Sequence, residues 1–216
     1  PTGRTLGGGA EIVLHGQHVR AAAETYLGLV EVGLGLLPAG GGLKEMLARW
    51  QKGVEGGPFA PSRHVFEIVA TATVATSAAD AMRYRFLKKS DQITLDRDRL
   101  LADAKADALA LAEAKARGEW RPPEPPTFRL PGPGGRLVLE QQAENLRLQG
   151  NVSEHDALIA SEVARVLTGG ECSPLDVLTE QDVLDLEREG FLKLLGTPKT
   201  QDRIETFLRT GQIIRN

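Results

Sequence analysis

With 216 residues, 41% hydrophobic and 25% charged, the chain has an ordinary globular composition and room for one large domain or two small ones. A net charge of −3 with interleaved acids and bases argues against a general nucleic-acid binder, and the single cysteine, Cys172, excludes an internal disulfide or a Cys-pair metal site. No apolar run reaches the roughly 18 residues of a membrane span, and no basic N-terminal region precedes an apolar core, so the expectation is a soluble, cytoplasmic protein with no membrane or nucleic-acid partner.

In chain order, residues 9–17 predict a helix that starts at the glycine triplet Gly7-Gly8-Gly9. The triplet has no evident strand or helix before it, so the chain reads as one beginning inside a domain. Val19 to Leu29 is rich in small, β-compatible residues and predicts two short strands around Glu24-Thr25. Pro38-Ala-Gly-Gly-Gly42 is a turn, and Leu43 to Gln51 restarts a helix with Leu43, Met46, Leu47 and Trp50 at helical spacing. The breaker segment 53–61 follows. Ser62 to Ala75 reads as helix, and Ser77 as the N-cap of a helix over 78–84.

Asp96 to Arg117 is the longest helix candidate, with Leu100, Leu101, Ala104, Ala108 and Leu111 along one face and Gly118 at its end. Arg121-Pro-Pro-Glu-Pro-Pro126 lacks donors and restricts its neighbours, so it is neither helix nor central strand. Thr127 to Leu130 is a short extended piece, and Pro131-Gly-Pro-Gly-Gly135 is a second breaker. The last eighty or so residues read as four helices. One runs from Arg136 to Gln149, and two start at the capping pairs Ser153/Asp156 and Thr179/Asp182; Thr200 reads as the cap of the last. The expected organisation is a domain core at 1–52, a helical extension at 53–117, a linker at 118–135 and a helical region at 136–216.

Two glutamates, Glu11 and Glu31, stand twenty residues apart in glycine-rich, apolar settings. A carboxylate in an apolar pocket has its pKa raised, and two that face one water can divide base and acid roles. Gly8, between two glycines, can present a bare N–H to a developing oxyanion. The competing reading makes Glu11 a solvated helix residue and Glu31 a loop ion-pair partner.

Other patterns carry less chemistry. Gly33-x-Gly35-x-x-Pro38 imitates a dinucleotide fingerprint but has Pro at the third glycine, and neither glycine triplet is followed by Lys-Ser/Thr. His15 and His18 lack a third ligand, Ser153, His155 and Asp156 are better explained by capping than as a triad, and Cys172 is structural. The basic group Arg83, Arg85, Lys88 and Lys89 is a solvated helix end or a phosphate contact.

The stretch Leu-Gly-Gly-Gly-Ala-Glu11, followed after twenty residues by Glu31-Val-Gly-Leu-Gly-Leu-Leu-Pro-Ala-Gly-Gly-Gly42, closely resembles the crotonase (enoyl-CoA hydratase/isomerase) superfamily. The resemblance spans two motifs and their separation, with Gly35, Pro38 and Gly40 to Gly42 in register. Later stretches, including Phe86-Leu-Lys-Lys-Ser-Asp91, Leu101-Ala-Asp-Ala-Lys105, Leu186-Glu-Arg-Glu189 and Pro198-Lys-Thr-Gln-Asp-Arg-Ile204, resemble the C-terminus of fused proteins. Those join a 3-hydroxyacyl-CoA dehydrogenase to a crotonase-type domain in fatty-acid β-oxidation. The fold implied is mostly α with a small β component, a partial crotonase-type α/β domain followed by a helical C-terminal region.

The resemblance implies an enoyl-CoA hydratase-type lyase that adds water syn to a trans-2-enoyl-CoA, with CoA as part of the substrate and no separate cofactor or metal. Glu11 and Glu31 would be the acid/base pair and Gly8 an oxyanion donor. Gly7, Gly9, Gly35 and Pro38 would line the acyl-CoA thioester. Family members commonly assemble as trimers or hexamers, so a homo-oligomer is implied. The chain departs from the family at Gln17, where Asp is frequent, and at Val30, where Pro is common. The half-domain that holds the second oxyanion donor and most of the CoA loop is missing, and an upstream segment would supply it. The alternatives are an isomerase working on the Glu31 carboxylate, and an inactive remnant or helical assembly module.

Overall fold

The computed structural model describes residues 1–216 as two compact units: residues 1–28 with 74–125, and residues 29–73 with 126–216. The boundaries do not follow the four consecutive segments expected from the breaker stretches; each unit joins residues distant in sequence.

In the first unit, strand β1 (Gly3–Leu6) precedes the glycine triplet, helix α1 (Gly8–His15) follows it, and strands β2 (Arg20–Ala22) and β3 (Thr25–Gly28) come next. β1 pairs in parallel with β3, placing Leu6 opposite Gly28, so the triplet does have a supporting strand. Its four residues, Gly-Arg-Thr-Leu, carry too little apolar alternation to be seen locally; the ladder to β3 makes them a strand. β2 pairs in parallel with β4 (Gln92–Thr94). Helix α4 (Ala78–Arg83) is capped by Ser77, whose Oγ accepts the Asp80 N–H at 3.1 Å, and its buried Ala78 and Ala81 let it pack on β3.

The basic group does not act as one cluster. Lys88 Nζ donates to the carbonyls of Gly16 and Gln17, both at 2.8 Å, and so places a cation at the C-terminal end of α1. Arg83 instead pairs with Asp80 and reaches the Tyr84 hydroxyl.

Helix α5 (Leu100–Ala116) begins later than its sequence span, because Asp96 caps a separate 3₁₀ turn at Arg97–Arg99. Its expected apolar face is not buried: no residue of α5 is, and Leu101 and Leu109 are exposed. Alanine-rich sequence forms helix by intrinsic preference without needing an apolar stripe against a core. α5 is held by polar contacts instead, with Asp107 accepting from Arg20 Nε and Nη2 at 2.7 Å each and lying 3.0 Å from His18 Nε2.

The second unit is helical: α2 (Gly42–Trp50), α3 (Phe59–Ala70), α6 (Gly132–Leu148), α7 (Glu154–Leu167), α8 (Glu180–Leu195) and α9 (Pro198–Thr210). α7 is its centre, packing on α2, α3, α6 and α8, with Ile159, Val163, Ala164, Val166 and Leu167 buried. Both expected capping boxes form, Ser153 with Asp156 at α7 and Thr179 with Asp182 at α8. The cap of α9 is Thr197 rather than Thr200, because Pro198 takes the first helical position and Thr200 turns inward.

Two further expectations are corrected. α3 stops at Ala70, and Ala75 bridges in extended form to Leu27 within the first unit. The stretch 118–135 is not a linker throughout. Phe128 and Leu130 are buried, Phe128 exchanges two 2.8 Å backbone bonds with Leu178, and the Pro/Gly run at 131–135 enters α6. Gly132 (φ +66°) admits that start, since a Cβ there would stand 2.2 Å from the Cys172 carbonyl oxygen. No helix is long and apolar enough to cross a membrane.

Candidate active site

In the first unit the chain leaves β1, turns at Gly7 and enters α1. Gly7 has φ 57° and ψ −129°, a backbone conformation suited to glycine. Its N–H donates to Gly28 O at 2.9 Å, and its carbonyl accepts the N–H groups of Ala10 (2.7 Å) and Glu11 (3.0 Å). Gly8 and Gly9 therefore head α1, where no preceding helical carbonyl exists to accept their N–H groups. Glu11 lies in the first turn, half-buried, its charge favoured by the helix dipole. A Cβ on exposed Gly8 would meet Glu11 Oε2 at 4.0 Å, so the carboxylate leans over the head of the helix.

In the second unit Glu31 opens a 3₁₀ turn, Glu31–Leu34, whose end is Gly35 in the left-handed region at φ 87°. The N–H groups of Gly33, Gly35 and Leu36 donate to Val30, Val32 and Glu31 carbonyls at 3.0, 3.1 and 3.1 Å. Gly35 and Pro38 are both buried. A Cβ on Gly35 would stand 2.6 Å from Thr200 Oγ1, so the close approach this glycine permits is to α9. A cavity of about 330 Å³ adjoins Val32 and Gly33, with Phe66, Ala143, Ile159 and Arg203 in its wall.

After Pro38 the chain reaches α2 through three glycines, none of which can cap a helix with a side chain. Glu187 of α8, fully buried, does so: its Oε2 accepts the Gly41 N–H at 2.9 Å and its Oε1 the Lys44 N–H at 2.7 Å. Burial opposes the charge on the Lys44 ammonium, but bonds to Glu180 and Glu45 outweigh it and hold that group above its usual range.

Thus Gly7, Gly8, Gly9 and Glu11 come together in the first unit, and Glu31, Gly35 and Pro38 in the second. His15 and His18 go to different partners, the Glu11 carbonyl and Asp107. Ser153 and Asp156 cap α7, while His155 between them points to Thr200. Burial pushes the Cys172 thiol up from its usual range, and Asp176 adds to the shift. Glu187 and Thr200 carry no local sequence signal for these contacts, because their partners on α2 and the Glu31 turn lie more than a hundred residues away, and His155 meets Thr200 across 45 residues.

No family model matches the chain. It is 40% identical over 217 aligned positions to a Bacillus subtilis protein named "Probable 3-hydroxyacyl-CoA dehydrogenase", covering 100% of this chain and 27% of that protein. It is 26% identical to a Rickettsia prowazekii protein provisionally named "fatty acid oxidation complex trifunctional enzyme", covering 95% of this chain and 25% of that protein. The chain thus spans about a quarter of the length of these curated relatives. Among solved structures, it aligns with carnitinyl-CoA hydratase from Mycobacterium avium at TM-score 0.52 and 20% identity, over 99% of this chain and 59% of that one. An enoyl-CoA hydratase from Rhodobacter sphaeroides aligns at TM-score 0.51 and 19% identity, over 99% and 61%. At these identities the likeness is one of fold: mostly helical with a small β component, of the crotonase type.

Proposed function

We propose that the chain carries the acid/base residues of an enoyl-CoA hydratase-type lyase of fatty-acid β-oxidation. The observation that carries this reading is the strand–Gly7–helix junction, which leaves the Gly8 N–H at the head of α1 beneath the Glu11 carboxylate. A donor fixed before reaction stabilises a developing thioester enolate without reorganising, and Glu11 lies beside it for proton transfer. Glu31 is the second carboxylate. One glutamate removes a proton from water while the other helps protonate the α-carbon, adding H and OH to the same face of a trans-2-enoyl-CoA. Gly7, Gly9, Gly35 and Pro38 shape the approach of the thioester, and CoA enters as part of the substrate. The names of the curated relatives, drawn from acyl-CoA and fatty-acid oxidation, support the substrate class. A preceding segment supplies the second oxyanion donor, and assembly is as a homo-oligomer.

Loss of the enoyl absorbance of crotonyl-CoA measures the reaction. Glu11→Gln and Glu31→Gln are each expected to lower kcat by about 10²–10⁴-fold with the fold unchanged. Hydration unimpaired in Glu11→Gln would rule out the two-glutamate mechanism; a double-bond shift retained in that variant and lost in Glu31→Gln would make the chain an isomerase. If neither reaction is seen, with or without the remaining length of such a relative supplied, the enzyme reading fails and an assembly module is left.

A further inference from the structure

We infer that Thr200, itself held by His155, is a positioning residue that fixes the turn carrying Glu31. This rests on the reading of Glu31 as the reacting carboxylate, but the hydrogen-bond geometry behind it does not.

The Glu31–Leu34 turn is a single 3₁₀ turn, too short to hold its own place: runs of this kind have poor hydrogen-bond geometry and little cooperativity. Something outside it must set where the carboxylate points. At the far end of the turn, the Thr200 hydroxyl donates to the Gly35 carbonyl at 2.8 Å. Gly35 has no side chain to keep α9 away, and any Cβ would collide with that hydroxyl.

A hydroxyl has one proton, and here it is committed to Gly35. The 2.9 Å contact between Thr200 Oγ1 and His155 Nε2 therefore runs the other way, with the imidazole N–H donating and the hydroxyl accepting. The hydroxyl cannot rotate away without breaking both bonds. Thr200 is 0% and His155 4% exposed, so water is not at hand to replace either. Burial, with Arg203 and Lys199 nearby, pushes the His155 imidazole below its usual range. The result is a buried chain of donors from α7 through α9 to the turn. Ile213 closes on Gly33 in the same turn, at 3.5 Å from where a Cβ would stand. The protein thus anchors both the middle and the end of a four-residue element whose first residue is Glu31.

The test uses amide exchange and kinetics on the whole chain. In the wild type, the amides of Gly35 and Leu36 should be protected to within about tenfold of those in the middle of α7; exchange as fast as an isolated turn would overturn the inference without any variant. Thr200→Val keeps the shape and removes the donor. It should speed exchange at Gly35 and Leu36 by at least about tenfold, with α8 unchanged, and Thr200→Ser should restore protection. In the hydration assay Thr200→Val should lower kcat by about tenfold or more with KM unchanged, again rescued by Ser, because a misplaced base costs rate rather than binding. Unchanged exchange in a folded Thr200→Val protein refutes the anchoring. Faster exchange with kcat unaffected refutes the positioning role. Glu31→Gln tests the functional reading separately: full activity there removes that reading and leaves the exchange result standing.

Discussion

Glu187→Ala is the sharpest test of how this fold builds its glycine-rich entry to α2. The substitution removes the acceptor of two buried N–H groups, Gly41 and Lys44, and the negative charge at the helix N-terminus. An unsatisfied buried donor costs about 1–3 kcal/mol, and a charge at a helix terminus contributes about 0.3–1 kcal/mol, more when buried. Water that enters the space left by the side chain recovers part of this. The expected loss is therefore about 3 kcal/mol, or roughly 6–12 °C in Tm for a chain of this size. Glu187→Gln keeps one acceptor oxygen but turns an amide donor toward the other N–H, and should cost about half as much. Trp50 reports on the helix directly, since it ends α2 and stacks on His64 with ring centroids 4.5 Å apart. Guanidinium unfolding followed by its fluorescence, in a Trp120→Phe background that silences the other tryptophan, gives the number. A Glu187→Ala transition within about 0.5 kcal/mol of the parent would refute the reasoning, because it would mean the helix start is satisfied equally well without the carboxylate.

Two further outcomes test other corrected elements. The Arg20 guanidinium, with help from His18, holds the Asp107 carboxyl down to about 2, below its ordinary 3.8. A depressed carboxylate stabilises the fold fully above its unfolded pKa, and that stability disappears as pH falls from about 4 toward 2. Acid should therefore release α5 in this window, seen as faster amide exchange along the helix, and Asp107→Asn should remove the pH dependence; identical acid profiles for the two would refute it. Phe128→Ala empties a fully buried site and should cost about 3–5 kcal/mol in denaturant unfolding, whereas a residue in a true linker would cost almost nothing.

Local signals were legible wherever the residue and its effect lie within one turn of each other. Ser77, Ser153 and Thr179 cap the helices expected of them, because a side-chain oxygen reaches an N–H two or three residues on whatever surrounds it. The helix starting at the glycine triplet was readable for the same reason, whereas the two strands around Glu24-Thr25 find their partners only in β1 and β4. The apolar face of α5 has no core opposite it: Leu and Ala spacing records helix preference as readily as burial. Thr200 was misread as a cap because its real partner, Gly35, lies 165 residues away.

The sequence by itself singled out the candidate residues Gly8, Glu11 and Glu31 and the glycines that shape the turns around them. It also determined most helix starts, since these depend on side chains a few residues apart. Only the tertiary structure decided what holds those turns in place. The strand ahead of the triplet exists through its ladder to β3, the glycine-rich start of α2 is capped by Glu187, and the Glu31 turn is pinned by Thr200 and His155. Each of these is a hydrogen bond from a short element, too weak to order itself, to a group far along the chain.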